Sequence, residues 1–265
     1  MFDRLKHWWR QRLIRRSTIT PAQWQQAFAR LPLLQWLDGT ERDALRELAI
    51  LFLQRKSLQG VGTVTLNTDM TLVIALQACL PILRLGLDWY DGWVSVLVYP
   101  GDFSPQRTRV DEAGVVHNYR DRLAGEAWQD GPVILSWNDV YHAGAIDGHN
   151  LVIHEFAHKL DMRNGVANGF PPLHTGMSAV TWSAVFSAAF ADFQARQQHH
   201  KRLPFDGYAA ESPAEFFAVL SEVFFERPDA IHADYPAVYQ QLRDFYRQDT
   251  LLDLPGHTGH GHPRH

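Results

Sequence analysis

The sequence predicts an α+β fold that is mostly helical, with a small β-sheet preceding one apolar helix. Three observations predict it. Apolar residues recur at helical spacing over 41–56, where Leu45, Leu48, Ala49 and Phe52 fall on one face, and again through most of the chain after residue 150. Between Trp93 and Val140 the pattern changes to short β-branched and aromatic runs separated by turn residues. The run Asn150–Asp161 is apolar and free of proline and glycine, and it carries His-Glu-x-x-His.

Taken in order, residues 1–17 form a basic amphipathic segment with Phe2, Leu5, Trp8, Trp9 and Leu13 as its apolar positions. It reads either as a membrane-surface or partner-binding helix or as a packed terminal helix with a solvated basic face. Its shortness favours the second. Thr20-Pro21 opens a helix to about Leu31, with Thr as N-cap and Pro in the first turn. Thr40 is expected to cap the helix from Glu41 to about Lys56. A strand is expected near Val61–Leu66, then an apolar helix from about Met70 to Leu80 that stops at Pro81. Strands are expected at 96–99, 114–119 and 132–136, and helices near 150–162, 177–198, 213–226 and 235–247. The stretch 164–175 contains Gly, Asn and two prolines and reads as loop.

Composition narrows the class. The chain has 265 residues, 46% hydrophobic and 20% charged, enough for a large core. A net charge of −4 gives no general reason to expect direct nucleic-acid binding. The single cysteine, Cys79, cannot form an internal disulfide, which fits a reducing compartment. The longest apolar stretch, Leu72–Leu83, is interrupted by Gln77 and Pro81 and is too short to span a bilayer, and the basic N-terminus lacks a signal-peptide core. The expectation is a cytoplasmic protein with no membrane span.

Helix residues four apart stand one turn above each other. His154 and His158 can therefore direct two imidazoles at one metal ion, with Glu155 beside them placed to act on a water rather than to ligate. This is the zincin arrangement of two His ligands and a general base. Two surface histidines are the plainer alternative. Leu151, Val152, Ile153, Phe156, Ala157 and Leu160 argue against it, because they bury the helix and buried imidazoles need partners. The longer pattern that adds a third His is absent, since Asp161 and Asn164 occupy its Gly and His positions. Asp161 then reads as an acceptor orienting a ligand imidazole, or as a solvated helix-end charge. The best third ligand is Glu215, at the start of an apolar helix behind Ser212 and Pro213. A capping box is its alternative role. Glu211, in the preceding loop, and Glu222, two turns further along, compete with it. Glu222 could support a ligand or meet a substrate.

The segments HEFAHKLD (154–161), YAAESPAEFFAVLSEVFF (208–225) and GEAWQDGPVILSW (125–137) resemble the Mlc titration factor A family, from about residue 20 to about 250. That family comprises bacterial cytosolic zinc peptidases with a catalytic core resembling anthrax lethal factor. The resemblance implies a gluzincin-type fold and site, with one Zn2+ per chain. It assigns His154, His158 and Glu215 as metal ligands, Glu155 as the base and Tyr208 as an oxyanion stabiliser; from spacing alone Tyr208 reads as a surface loop aromatic. It also implies His117, in Gly114-Val115-Val116-His117-Asn118, as a metal-associated residue. Because a fourth protein ligand would take the catalytic water's place, His117 would bind in a resting form and then move away. The activity implied is aminopeptidase action on short peptides, in which Glu211 or Glu222 could hold the substrate ammonium. The partner implied is a Mlc-like transcriptional repressor of sugar-uptake genes, which could even be the main function, with peptidase activity secondary.

The expected organisation is a basic N-terminal segment 1–19, one zincin-like domain 20–250 and a His-rich tail 251–265 carrying His257, His260, His262 and His265. The first and last of these fall outside the resemblance. The tail can bind metal loosely but lacks a rigid element to present a catalytic group.

Overall fold

A computed structural model of the protein describes residues 2–101, 107–110, 116–119 and 131–251. Helices dominate, and their starts follow from local chemistry. Helix α1 spans Phe2–Arg15, and its Leu13 and Ile14 pack against the core. Helix α2, Pro21–Ala29, begins at Thr20 in a reciprocal capping box with Gln23. Helix α3, Gly39–Arg55, starts earlier than expected. Asp38, not Thr40, is the cap, because its carboxylate accepts from the Glu41 amide while Glu41 reaches back to the Asp38 amide. Helix α4, Thr68–Cys79, is capped by Asn67 and buried from Leu72 to Cys79, as an all-round apolar helix must be.

The strands precede the His-Glu-x-x-His helix. Strands β1 (Ser57–Gly60), β2 (Ser95–Tyr99) and β5 (Val133–Ser136) form one parallel sheet in the order β1-β2-β5. Parallel neighbours need crossover connections. Helix α4 lies in the first of these, and the antiparallel pair β3 (Arg107–Val110) and β4 (Val116–Tyr119) in the second. Strand β1 is earlier than the expected 61–66. The Ser57 and Val61 amides donate to Val94 and Val98 carbonyls, so pairing with β2 overrides the β-branched residues that follow. The short helix α5, Trp137–His142, capped by Ser136, was not anticipated.

Helix α6, Leu151–Asp161, carries the motif. Its cap is Asn150, whose side-chain oxygen accepts from the Ile153 amide at 3.0 Å. Phe156 packs among Phe52, Tyr90 and Trp93 with ring centres 5.1–5.7 Å apart. Truncating such a ring to alanine costs about 3–5 kcal/mol. Lys159 anchors the same helix toward β5 by donating to the Gly131 carbonyl at 2.9 Å. Helix α7 spans Ala179–Gln198 and α8 spans Pro213–Glu226. The single helix expected at 235–247 is preceded by another, so α9 is Pro228–Asp234 and α10 is Pro236–Tyr246, each opened by proline. Helices α6 and α8 pack antiparallel, since His154 faces Glu222 and His158 faces Glu215.

Among the described residues no helix is long and apolar enough to cross a membrane. Residues 125–130 of the GEAWQDG stretch and the tail 252–265, with its four histidines, lie outside the described residues.

Candidate metal centre

Two helices build the site. On α6, His154 and His158 stand one turn apart, with Nε2 atoms 3.2 Å from each other and rings nearly perpendicular. On α8, Glu215 lies in the first turn. Ser212 caps that helix through the Glu215 amide at 3.1 Å, and the Glu215 side chain turns away from the cap toward the imidazoles. Its Oε2 lies 3.0 Å from His154 Nε2 and its Oε1 lies 3.3 Å from His158 Nε2. A tetrahedral ion with ligands at about 2.0–2.2 Å holds ligand atoms about 3.3–3.5 Å from one another. The observed separations of 3.0–3.3 Å, with Glu215 meeting each imidazole through a different oxygen, are close to that spacing.

The donor chemistry agrees. Glu222 Oε1 lies 2.7 Å from His154 Nδ1. An ionised carboxylate only accepts, so Nδ1 carries a proton and Nε2 is the ring atom left to meet a metal ion. Nε2 faces the Glu215 oxygens, an arrangement satisfied by a positive charge between them, either a metal ion or a proton on the ring. Consistently, Glu215 Oε2 is buried with no hydrogen-bond partner. Burial alone would lower the His154 pKa, but Glu215 and Glu222 outweigh it and raise it well above the usual range. Burial alone would raise Glu215, and the two imidazoles hold it well below the usual carboxylate range. Residues His154, His158 and Glu215 therefore fit a metal ion.

Glu155 is half-buried beside them. Burial pushes its carboxyl up, against the pull of both imidazoles. Tyr208 sits in a 3₁₀ turn, Gly207–Ala210, just before α8. It is half-buried against the core, and its ring centre is 6.1 Å from that of His154. The fold thus sets this residue, which spacing alone reads as a surface aromatic, beside the His154 imidazole. Glu211 is exposed at the end of the same turn. His117 lies in β4, in register with Arg109 of β3, and its side chain is outside the described residues.

Asp161 does neither of the two things expected of it. It is wholly buried, which excludes a solvated charge. Its oxygens accept from the amides of Asn168, Gly169 and Phe170 at 2.7–2.9 Å rather than from a ligand imidazole. Burial pushes its carboxyl up, and those amides together with His158 pull it partly back. The carboxylate that meets an imidazole of the cluster is Glu222, on His154. The spacing from Glu215 put it on the right face, but its pairing with His154 depends on how α6 and α8 pack. Asp161 instead fixes the loop after α6, where Gly169 at φ +76° presses on the first turn of α8. A Cβ there would lie 2.4 Å from the Pro213 carbonyl oxygen.

Comparison with known proteins agrees with this geometry. Residues 5–247 match the family described as glucose-regulated metallo-peptidase M90. The match takes in most of the basic N-terminal segment, which the motif resemblance had left outside. The chain is 40% identical over 230 residues to a Klebsiella pneumoniae protein called Mlc titration factor A, covering 86% of each chain. It is 40% identical to the proteins of that name from Escherichia coli, over 89% of each chain, and from Cronobacter sakazakii, over 90% of each.

Proposed function

The chain belongs to the M90 family of glucose-regulated metallopeptidases, and from that premise we propose that it is a zinc-dependent peptidase with a gluzincin-like fold, acting as an aminopeptidase on short peptides in the cytoplasm. The observation that carries this reading is the cluster of His154, His158 and Glu215 donor atoms drawn from two helices. An all-nitrogen-and-oxygen set of this kind suits zinc.

In this reading His154, His158 and Glu215 hold the metal, and Glu222 fixes the orientation of the His154 ring. A bound zinc ion would polarise the scissile carbonyl and lower the pKa of a water toward about 7. Glu155 takes the proton from the attacking water and passes it to the departing amine, a contribution of about 10²–10⁴ in rate. The Tyr208 hydroxyl donates a hydrogen bond to the oxyanion that forms as the carbonyl carbon becomes tetrahedral. His117 would occupy the water's place in a resting form and leave on activation.

The name of the relatives supports a second role, capture of a Mlc-like transcriptional repressor and, through it, control of glucose-uptake genes. The two roles separate in one variant. In Glu155→Gln, hydrolysis of an aminoacyl reporter is lost, zinc stays bound and a repressor partner is still retained in a pull-down. Full hydrolysis in that variant would sink the catalytic assignment. Loss of the partner from a folded variant would tie recognition to the active site.

A further inference from the structure

Asn150 is completely buried and meets polar atoms on every side. Its side-chain oxygen caps α6 through the Ile153 amide. Its Nδ2 donates to Gln77 Oε1 on α4 at 2.8 Å and to Glu226 Oε1 on α8 at 2.9 Å. Its backbone N–H donates to Glu222 Oε2, the oxygen of that carboxylate not facing His154. Glu226 is anchored in turn by the Gly148 amide at 3.0 Å. Resting on the metallopeptidase reading above, we propose that Asn150 is a positioning residue for the metal centre, holding Glu222 so that His154 keeps its ring orientation and its free Nε2.

The reasoning is geometric. A carboxylate with one oxygen on an imidazole can still rotate about its last bond. The Asn150 amide removes that freedom by taking the second oxygen. The amide is itself fixed, because the asparagine side chain is tied to three partners on α4, α6 and α8. An ordinary N-cap needs only the oxygen of such a side chain. The two hydrogen bonds from Nδ2 are surplus to capping, and both run to elements packed around the ligand helix. Outer-shell partners of ligand histidines typically govern metal affinity by 10–100-fold.

The test is a double-mutant cycle on the full-length chain, read as the zinc dissociation constant by competition with a chelator. Asn150→Ser keeps a capping oxygen and removes both Nδ2 bonds. It is expected to weaken zinc binding about tenfold, with Glu222→Gln weakening it at least as much. Because Asn150 acts through Glu222, the double variant should bind zinc as Glu222→Gln alone does. If Asn150→Ser binds zinc as wild type does, or if the two losses multiply in the double variant, the proposal is overturned. Should Asn150→Ser fail to fold, Gln77→Met, which removes one acceptor of Nδ2, enters the same cycle with an expected loss of about threefold. A wild-type chain that binds no zinc would overturn the metallopeptidase reading itself, and this inference with it.

Discussion

Replacing Gly169 with alanine tests how the two ligand helices are spaced. Gly169 sits at φ +76°, where a side chain costs about 1–2 kcal/mol. A Cβ would also stand 2.4 Å from the Pro213 carbonyl oxygen and 2.9 Å from its carbon. Those are backbone atoms of the first turn of α8, so no rotamer change relieves the overlap. The loop or the helix start must move by about 1 Å, and forced overpacking of this kind costs about 1–3 kcal/mol. The loop resists, because the Gly169 amide donates to Asp161 at 2.7 Å and its carbonyl accepts from Trp182 Nε1 at 3.0 Å. The expected loss is therefore about 2–5 kcal/mol, a fall in Tm of about 5–15 °C for a chain of this size. Glu215 lies two residues beyond Pro213, so zinc affinity should fall as well. Unfolding of the metal-free chain measures the first effect without contribution from bound ion, and chelator competition measures the second. A Gly169→Ala variant with wild-type Tm and wild-type zinc affinity would refute the reasoning that this loop sets the position of Glu215.

Two further outcomes are expected. Tyr208→Phe should lower kcat about 10²–10³-fold while leaving zinc content unchanged, and an unaltered kcat would remove Tyr208 from the reaction. Burial pushes the Glu226 carboxyl up to about 7 from an ordinary 4.5. Its raised pKa contributes stability that is fully present below pH 4.5 and lost as pH rises through 7. The gap corresponds to about 3 kcal/mol, so the stability of Glu226→Gln relative to wild type should rise by up to that amount between pH 4.5 and 8 in denaturant titrations. A difference that stays flat with pH would show that burial does not disfavour the charged form there.

What was legible in the sequence was local. The capping of α2 by Thr20, the bounds of α6 and α8, and the four-residue spacing of His154 and His158 all follow from neighbouring residues. Glu215 could be singled out because a carboxylate on a buried helix needs a strong partner. What escaped depended on residues far apart in the chain. Strand β1 is set by its register with β2, not by the valines after it. The amides that claim Asp161 come from a loop whose path the spacing on α6 does not show. The parallel order of the sheet has no local signal at all, because valine-rich runs suit either direction.

The central claim is that α6 and α8 together hold one metal ion. Zinc titration of wild type and Glu215→Ala against a competing chelator tests it most directly. The account predicts one tightly bound ion per wild-type chain, and in the variant a loss of affinity beyond the ~10–100-fold that removal of an outer-shell partner costs. A Glu215→Ala chain that binds zinc as tightly as wild type would contradict it.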